Sequence, residues 1–334
     1  MEVVDKGPVC VTGGNGFIGS WLIMRLLQQG YSVHTTVRSN PESNKDLSYL
    51  RNLPGAPERL QIFKADLEVP DSFKEAIEGC VGVFHVAHPM DMRGEQPEEV
   101  VTKWAVEGTQ GILRTCLSSN TVKKLIFTSS LAAVMFKNFK GIETVDETIW
   151  SDLEIGRSSP ALRSSYFVSK TLTEKAVLEF GKENETKLKV VSFVLPLVGG
   201  PFLAPKMPAA ISLALSLILG DESQCKILRN TYMVHVEDVT RALIFLFENS
   251  NAKGRLICGF HQVTFQQLHQ MISQKYPQYH IAIPDNFMGA KDNDKKKYPC
   301  LSYKKLRDTG FELRYGVEDI YDDAIKSCKD KGFL

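Results

Sequence analysis

Apolar positions along this chain change period again and again, and the changes mark out elements. Residues 7–13, GPVCVTG, form a short β-branched run. After it Phe17, Ile18, Trp21, Leu22, Met24, Leu26 and Leu27 recur at helical spacing until Gly30. The same reading predicts strands over 31–38, 60–66, 81–87, 123–130 and 189–195. Helices are predicted over 41–53, 70–79, 97–118 and about 164–183. Strand and helix alternating in this way make a parallel sheet with helices on both faces, a Rossmann-type doubly wound α/β fold. Past Pro196 the alternation loosens into a Pro/Gly-bearing loop, a helix at 208–219, a strand at 233–236 and a helix at 237–248. This tail reads as a smaller C-terminal α/β lobe, with a division at 1–195 and 196–334 and the chain crossing back to the first part.

Composition narrows the partners. The 334 residues are 43% hydrophobic, enough for a large core, and 40 basic against 39 acidic residues leave a net charge of +1. No global field is present to hold nucleic acid or an anionic membrane, and no apolar run reaches a membrane-spanning length. The local run KDNDKKK at 291–297 reads as a solvated loop. Seven scattered cysteines show no C-x-x-C spacing, so neither a metal site nor a disulfide frame is expected. With no secretory pattern at the N-terminus, a cytoplasmic protein acting on a small molecule is the expectation, as a monomer or weak homodimer.

The stretch TGGNGFIG, Thr12 to Gly19, falls between the first strand and the first helix. There Gly13 permits a tight turn, Gly16 lets backbone approach a diphosphate, and Gly19 brings helix and sheet together. The helix start at Phe17 and Ile18 faces the anion. A dinucleotide is the implied ligand. The second predicted strand ends in Arg38, where a carboxylate would otherwise receive the NAD ribose hydroxyl, and Lys45 follows seven residues later. Cations at these positions suit the 2′-phosphate of NADP(H). Asp66, with Leu67 beside it, is placed to accept from the adenine amino group.

Tyr166 and Lys170 stand four apart in YFVSK on one helix face, an arrangement in which the ammonium lowers the phenol pKa toward working pH. Ser130 closes the strand KKLIFTSS at its C-terminal end, the edge of the sheet where ligands bind.

These residues, with LPGAPERLQIF, ADLEVPDSFKEAIEGCVGVFH, SKTLTEKAVLEFG and MVHVEDVTRA, give the chain a full-length resemblance to the extended short-chain dehydrogenases/reductases of the plant dihydroflavonol reductase group. The resemblance implies an NADPH-dependent, stereospecific reductase of a ketone, isoflavanone- or flavonoid-like or another plant specialised metabolite. Residues 1–195 would be the NADP-binding domain and 196–334 the predominantly substrate-binding lobe. Ser130, Tyr166 and Lys170 would be catalytic, and Val86, Ala87, His88, Pro196, Leu197 and Val198 would line the ribose and nicotinamide side. Two residues depart from the group's pattern. His88 replaces a small Thr or Ser, and Met135 replaces an Asn that grips substrate, so His88 and Met135 join Tyr166 as substrate-side candidates. An imidazole at position 88 with its ordinary pKa would titrate near pH 6–7. Two alternatives remain open: an enzyme oxidising an alcohol or hemiacetal of an alkaloid, and a dinucleotide-sensing binding protein without chemistry. Substrate shape would come from loops near 88–96, 131–140, 155–165 and 200–232.

Overall fold

The computed structural model describes residues 6–38, 46–89, 95–158, 164–279, 281 and 299–334. Strands β1 (Pro8–Thr12), β2 (Ser32–Val37), β3 (Leu60–Lys64), β4 (Gly82–His85), β5 (Lys124–Ser130), β7 (Lys189–Leu195) and β10 (Gly254–Ile257) form one parallel sheet, in the order β10-β7-β5-β4-β1-β2-β3. Between β5 and β7 in sequence comes β6 (Thr144–Val145), which pairs in parallel with β12 (Cys300–Leu301) near the other end of the chain. A small three-stranded sheet is built from β8 (Leu197–Gly199), β9 (Asn230–His235) and β11 (His261–Thr264). The seventh strand of the main sheet therefore comes from beyond residue 195.

Burial explains the strands. Val9, Val11, Val33, Phe84, Ile126, Val191 and Phe193 pack with the first helix (Phe17–Gln28) and the helix Val236–Glu248 on one face. Cys10, Val83, Leu125, Phe127 and Val190 pack with the long helices Glu98–Ser118 and Ser164–Glu183 on the other. A third cluster, including Phe202, Leu228, Met233, Ile320 and Tyr321, lies behind the small sheet.

The expected helix 41–53 differs from what is found. Residues 39–45 fall outside the described residues, and the described part holds one helical turn at Ser48–Arg51 and another at Ala56–Arg59. Gly55, at φ 81°, separates them, and Pro54 before it disfavours helical backbone at Leu53. The expected helix 70–79 is a 3₁₀ turn at Pro70–Phe73 leading into Lys74–Ile77. The expected helix 208–219 is likewise two short pieces, Ala209–Ala214 and Ser216–Leu219. The run KDNDKKK lies outside the described residues. Among the described residues no helix is long and apolar enough to cross a membrane, and no cluster of ligating side chains could hold a metal ion.

The strand order reverses direction between β1 and β4, and in open α/β sheets the crevice outside the carboxyl ends of such neighbours receives the ligand.

Candidate active site

At the end of β1 the glycine turn is packed too tightly for side chains. Gly13 has φ 72°, and a Cβ there would sit 3.0 Å from the Ala87 backbone. A Cβ on Gly19 would come within 2.4 Å of the Gly13 carbonyl oxygen. Gly14, which the motif spacing does not single out, proves the tightest of the turn, because its Cβ would overlap the Thr35 hydroxyl. Gly16 differs. Its Cβ would meet only the Gly13 carbonyl, at 3.2 Å, so it borders open space at the first turn of the helix. Phe17 and Ile18 begin that helix, whose first N–H groups have no intrahelical acceptor. The cradle fits a diphosphate.

A buried polar clamp, absent from the sequence reading, holds the two sides of the crevice together. The Thr12 hydroxyl oxygen accepts from the Val86 and Ala87 amides, both at 3.1 Å, so its proton goes to His85 Nδ1 at 2.8 Å. His85 therefore carries its own proton on Nε2 and donates it to the Thr109 hydroxyl at 2.9 Å. Burial, and then the charge of Lys170, push the His85 pKa down to about 3, so the clamp is uncharged.

Arg38, just past β2, is exposed, and its guanidinium donates to the His88 carbonyl at 3.1 Å. It stands at the β2 side of the crevice. Lys45 lies outside the described residues. Asp66 sits in a turn beyond β3 rather than ending the strand, and its Oδ1 accepts from the Glu68 amide at 3.1 Å. Leu67 is buried against the helix backbone at Gly108. Pro196 precedes β8, which contains Leu197 and Val198 and pairs in parallel with β9.

Ser130 ends β5, and its oxygen accepts from the Ala132 amide at 3.2 Å. Its hydroxyl lies close enough to the Tyr166 phenol to act against the rise that burial gives the phenol's pKa. Strand end and helix thus bring together two residues separated by 36 positions. Lys170, one turn on from Tyr166, is buried and donates to the Thr128 carbonyl at 2.9 Å. Its remaining protons have no other hydrogen-bond partner in the described protein.

Two electrostatic expectations need correction. Tyr166 does not have a lowered pKa. Burial raises it, and the Ser130 hydroxyl opposes the rise only in part. Lys170 shifts instead, from 10.5 to about 8, because burial disfavours the ammonium more than Glu174 favours it. His88 likewise does not titrate near pH 6–7. Burial, Lys170, His85 and Arg38, in that order, hold its pKa well below the ordinary value. The His88 ring stands edge-on to Tyr166, with centroids 5.4 Å apart, and its Nε2 lies 3.1 Å from the Ser169 hydroxyl. Met135 packs in an apolar cluster with Leu131, Phe139, Ile142 and Phe260. Of the expected substrate loops, 90–94 and 159–163 lie outside the described residues.

Behind the site lies a second arrangement the sequence did not reveal. Glu174 and Arg255 are buried and paired bidentately, at 2.9 and 3.0 Å. The other Arg255 donors reach the carbonyls of Glu147, Ile149 and Ala133, and the guanidinium lies 3.7 Å over the Trp150 ring. Ser192 donates to Glu174 at 2.6 Å. The brace ties the turn after Ser130 to the helix of Tyr166 and Lys170.

A glycine turn at the sheet's switch point and a Ser–Tyr–Lys set at the neighbouring strand end define a dinucleotide-dependent oxidoreductase. The chain belongs to the NAD dependent epimerase/dehydratase family, whose model matches residues 9–259. It is 50% identical over 329 residues to vestitone reductase of Medicago sativa, covering 98% of this chain and 99% of the relative. The crystal structure of that alfalfa enzyme superposes with a TM-score of 0.84 at 48% identity, over 98% of this chain and 100% of the other. Noscapine synthase SDR1 of Papaver somniferum is 47% identical over 100% of this chain and 95% of its own. Dihydroflavonol 4-reductase of Callistephus chinensis is also 47% identical, over 99% and 89%.

Proposed function

We propose that this protein is an NADPH-dependent reductase of a flavonoid- or isoflavanone-type ketone. The observation that carries the reading is the pairing of the Ser130 hydroxyl with a Tyr166 phenol whose pKa burial raises. At neutral pH that phenol is protonated, and a proton donor beside a hydroxyl that orients a carbonyl oxygen is what reduction requires. The similarity to vestitone reductase and dihydroflavonol 4-reductase supports a ketone of this class.

The dinucleotide, when bound, supplies the hydride that adds to the carbonyl carbon. The rest is done by this chain. Ser130 holds the carbonyl oxygen, and Tyr166 delivers its proton there as the C=O π bond gives way to C–H and O–H bonds. Lys170 turns its unpartnered protons to the ribose and places positive charge near the tyrosine as its phenolate forms. Gly13, Gly16 and Gly19, with Phe17 and Ile18, receive the diphosphate. Arg38, assisted by Lys45, receives the 2′-phosphate and gives NADP(H) over NAD(H). Asp66 and Leu67 serve the adenine, and Val86 to His88 with Pro196, Leu197 and Val198 serve the ribose and nicotinamide side. His88, Met135 and Tyr166 face the substrate. Residues 1–195 supply most of the cofactor site and 196–334 most of the substrate side. The protein works in the cytoplasm, as a monomer or weak homodimer.

A panel of isoflavanones, flavanones and dihydroflavonols, read as loss of NADPH absorbance, tests the reading. Turnover with NADPH on at least one of these ketones is expected. A protein that binds no dinucleotide, or that oxidises alcohols while leaving every ketone untouched, overturns it.

A further inference from the structure

The Ser169 hydroxyl has one proton, and its two contacts are hydrogen bonds at the same time only when that proton goes to the Tyr166 carbonyl at 3.0 Å, one helical turn back. Toward His88 the same oxygen can therefore only accept, so the 3.1 Å contact is an Nε2–H donation from the ring. That fixes the tautomer. Nδ1 is left as a bare lone pair, and it has no hydrogen-bond partner among the described residues. The groups around the ring are Lys170 and Ser169 on the catalytic helix, His85 on β4 and Arg38 past β2. No carboxylate is hydrogen-bonded to the ring among the described residues, so nothing favours the imidazolium. Burial and the neighbouring cations keep it neutral, and a neutral ring with Nε2 protonated offers acceptor character alone at Nδ1.

The ring also stands edge-on to Tyr166, the residue that addresses the substrate carbonyl. We infer that His88 Nδ1 is a fixed hydrogen-bond acceptor in the substrate site, selecting ketones that carry a hydroxyl donor near the reacting carbonyl. This inference rests on the assignment of Ser130 and Tyr166 as the carbonyl-binding pair. Its physical basis is an asymmetry. An acceptor in the site loses water when any substrate enters, and only a hydroxylated substrate gives back a hydrogen bond; the analogue without the hydroxyl leaves the acceptor unpaired. A Thr or Ser hydroxyl at this position could donate or accept, and so would discriminate less. Ser169 becomes a positioning residue, because it acts on substrate only through the ring.

Two measurements on the full chain with NADPH test this. The first compares kcat/KM for flavanone and for the trans and cis forms of 3-hydroxyflavanone, which differ only in one hydroxyl beside the carbonyl or in its configuration, in the wild type and in His88→Leu. At least one hydroxylated ketone should be favoured by about tenfold in the wild type, and that ratio should collapse to within about twofold in the variant. Using a ratio within one protein cancels any general loss of activity. The same ratio in both proteins, or none in the wild type, overturns the inference. The second reads the His88 imidazole by nitrogen-15 NMR in the cofactor complex, assigned by the signal missing from His88→Leu or His88→Gln, whichever folds. A neutral ring with Nε2 protonated is expected, shifting toward a tautomer mixture in Ser169→Ala. A protonated Nδ1 in the wild type overturns the inference without need of any substrate. Failure of all three ketones to react while the tautomer is as stated would count against the substrate class proposed above, and so keeps the two failures apart.

Discussion

Replacing Arg255 with Met removes a cation whose five N–H donors are all engaged: two on Glu174 and three on the carbonyls of Ala133, Glu147 and Ile149. Methionine keeps an apolar stem against Trp150 but leaves Glu174, fully buried, with Ser192 as its remaining hydrogen-bond partner among the described residues. Breaking one side of such a pair costs about 3–5 kcal/mol, because a charge is stranded in the interior. Unfolding entropy near 2.1 cal/mol/K per residue, taken over 334 residues, is roughly 0.7 kcal/mol/K, so the midpoint should fall by about 4–7 °C. Adding Glu174→Leu removes the stranded charge and should restore more than half of the loss, the three carbonyls remaining unpaired. Calorimetry on the single and double variants measures both. A single variant that loses under about 1 kcal/mol, or a double variant no better than the single, would refute the claim that this pair braces the turn after Ser130.

Four other outcomes follow from the site. Arg38→Ala should weaken NADPH by roughly 1.5–3 kcal/mol, nearer the lower figure because the residue is exposed, and leave NADH almost unchanged; equal losses in titrations of the two cofactors would sink the 2′-phosphate assignment. Lys170, with its pKa held at about 8, should give a rate that falls as pH rises through that value, and Glu174→Gln, which removes a group favouring the ammonium, should move this limb to lower pH; an unmoved limb would assign it to another group. No limb near pH 6–7 should come from His88. The sign for stability is opposite to the sign for rate: Lys170 binds its proton less readily folded than unfolded, so its contribution to stability improves as pH rises between about 8 and 10.5, which pH-dependent denaturation of wild type against Lys170→Met would detect.

What could be read without coordinates was local. The glycine turn and the Tyr166–Lys170 pair are short-range spacings, and spacing alone places them on a strand–helix junction and on one helix face. Ser130 was legible from its position at a strand's carboxyl end. Depth was not legible: the same four-residue spacing says nothing of how far Tyr166 is buried, and burial reverses the direction of its pKa shift. Partnerships across long separations were hidden for a related reason. Thr12 and His85 lie 73 residues apart, His88 and Ser169 81, and Glu174 and Arg255 also 81. Each looks ordinary in its own segment, and Arg255 in the strand GRLI gives no sign that it is buried. Gly14 falls outside the three-residue spacing of the motif, yet its contact with Thr35 arises from the pairing of β1 with β2. The expected helix over 41–53 gives way, in the described part, to the local preferences of Pro54 and Gly55.

The claim that Tyr166 gives its proton to the substrate carbonyl is tested most directly by Tyr166→Phe. The ring and its edge contact with His88 remain, while the hydroxyl paired with Ser130 is lost. NADPH affinity should stay within about threefold, under ~0.7 kcal/mol. Turnover of the best ketone from the panel should fall by ~10²–10⁴. A variant that binds NADPH normally and reduces the ketone at close to the wild-type rate would place the proton donor elsewhere and contradict the account.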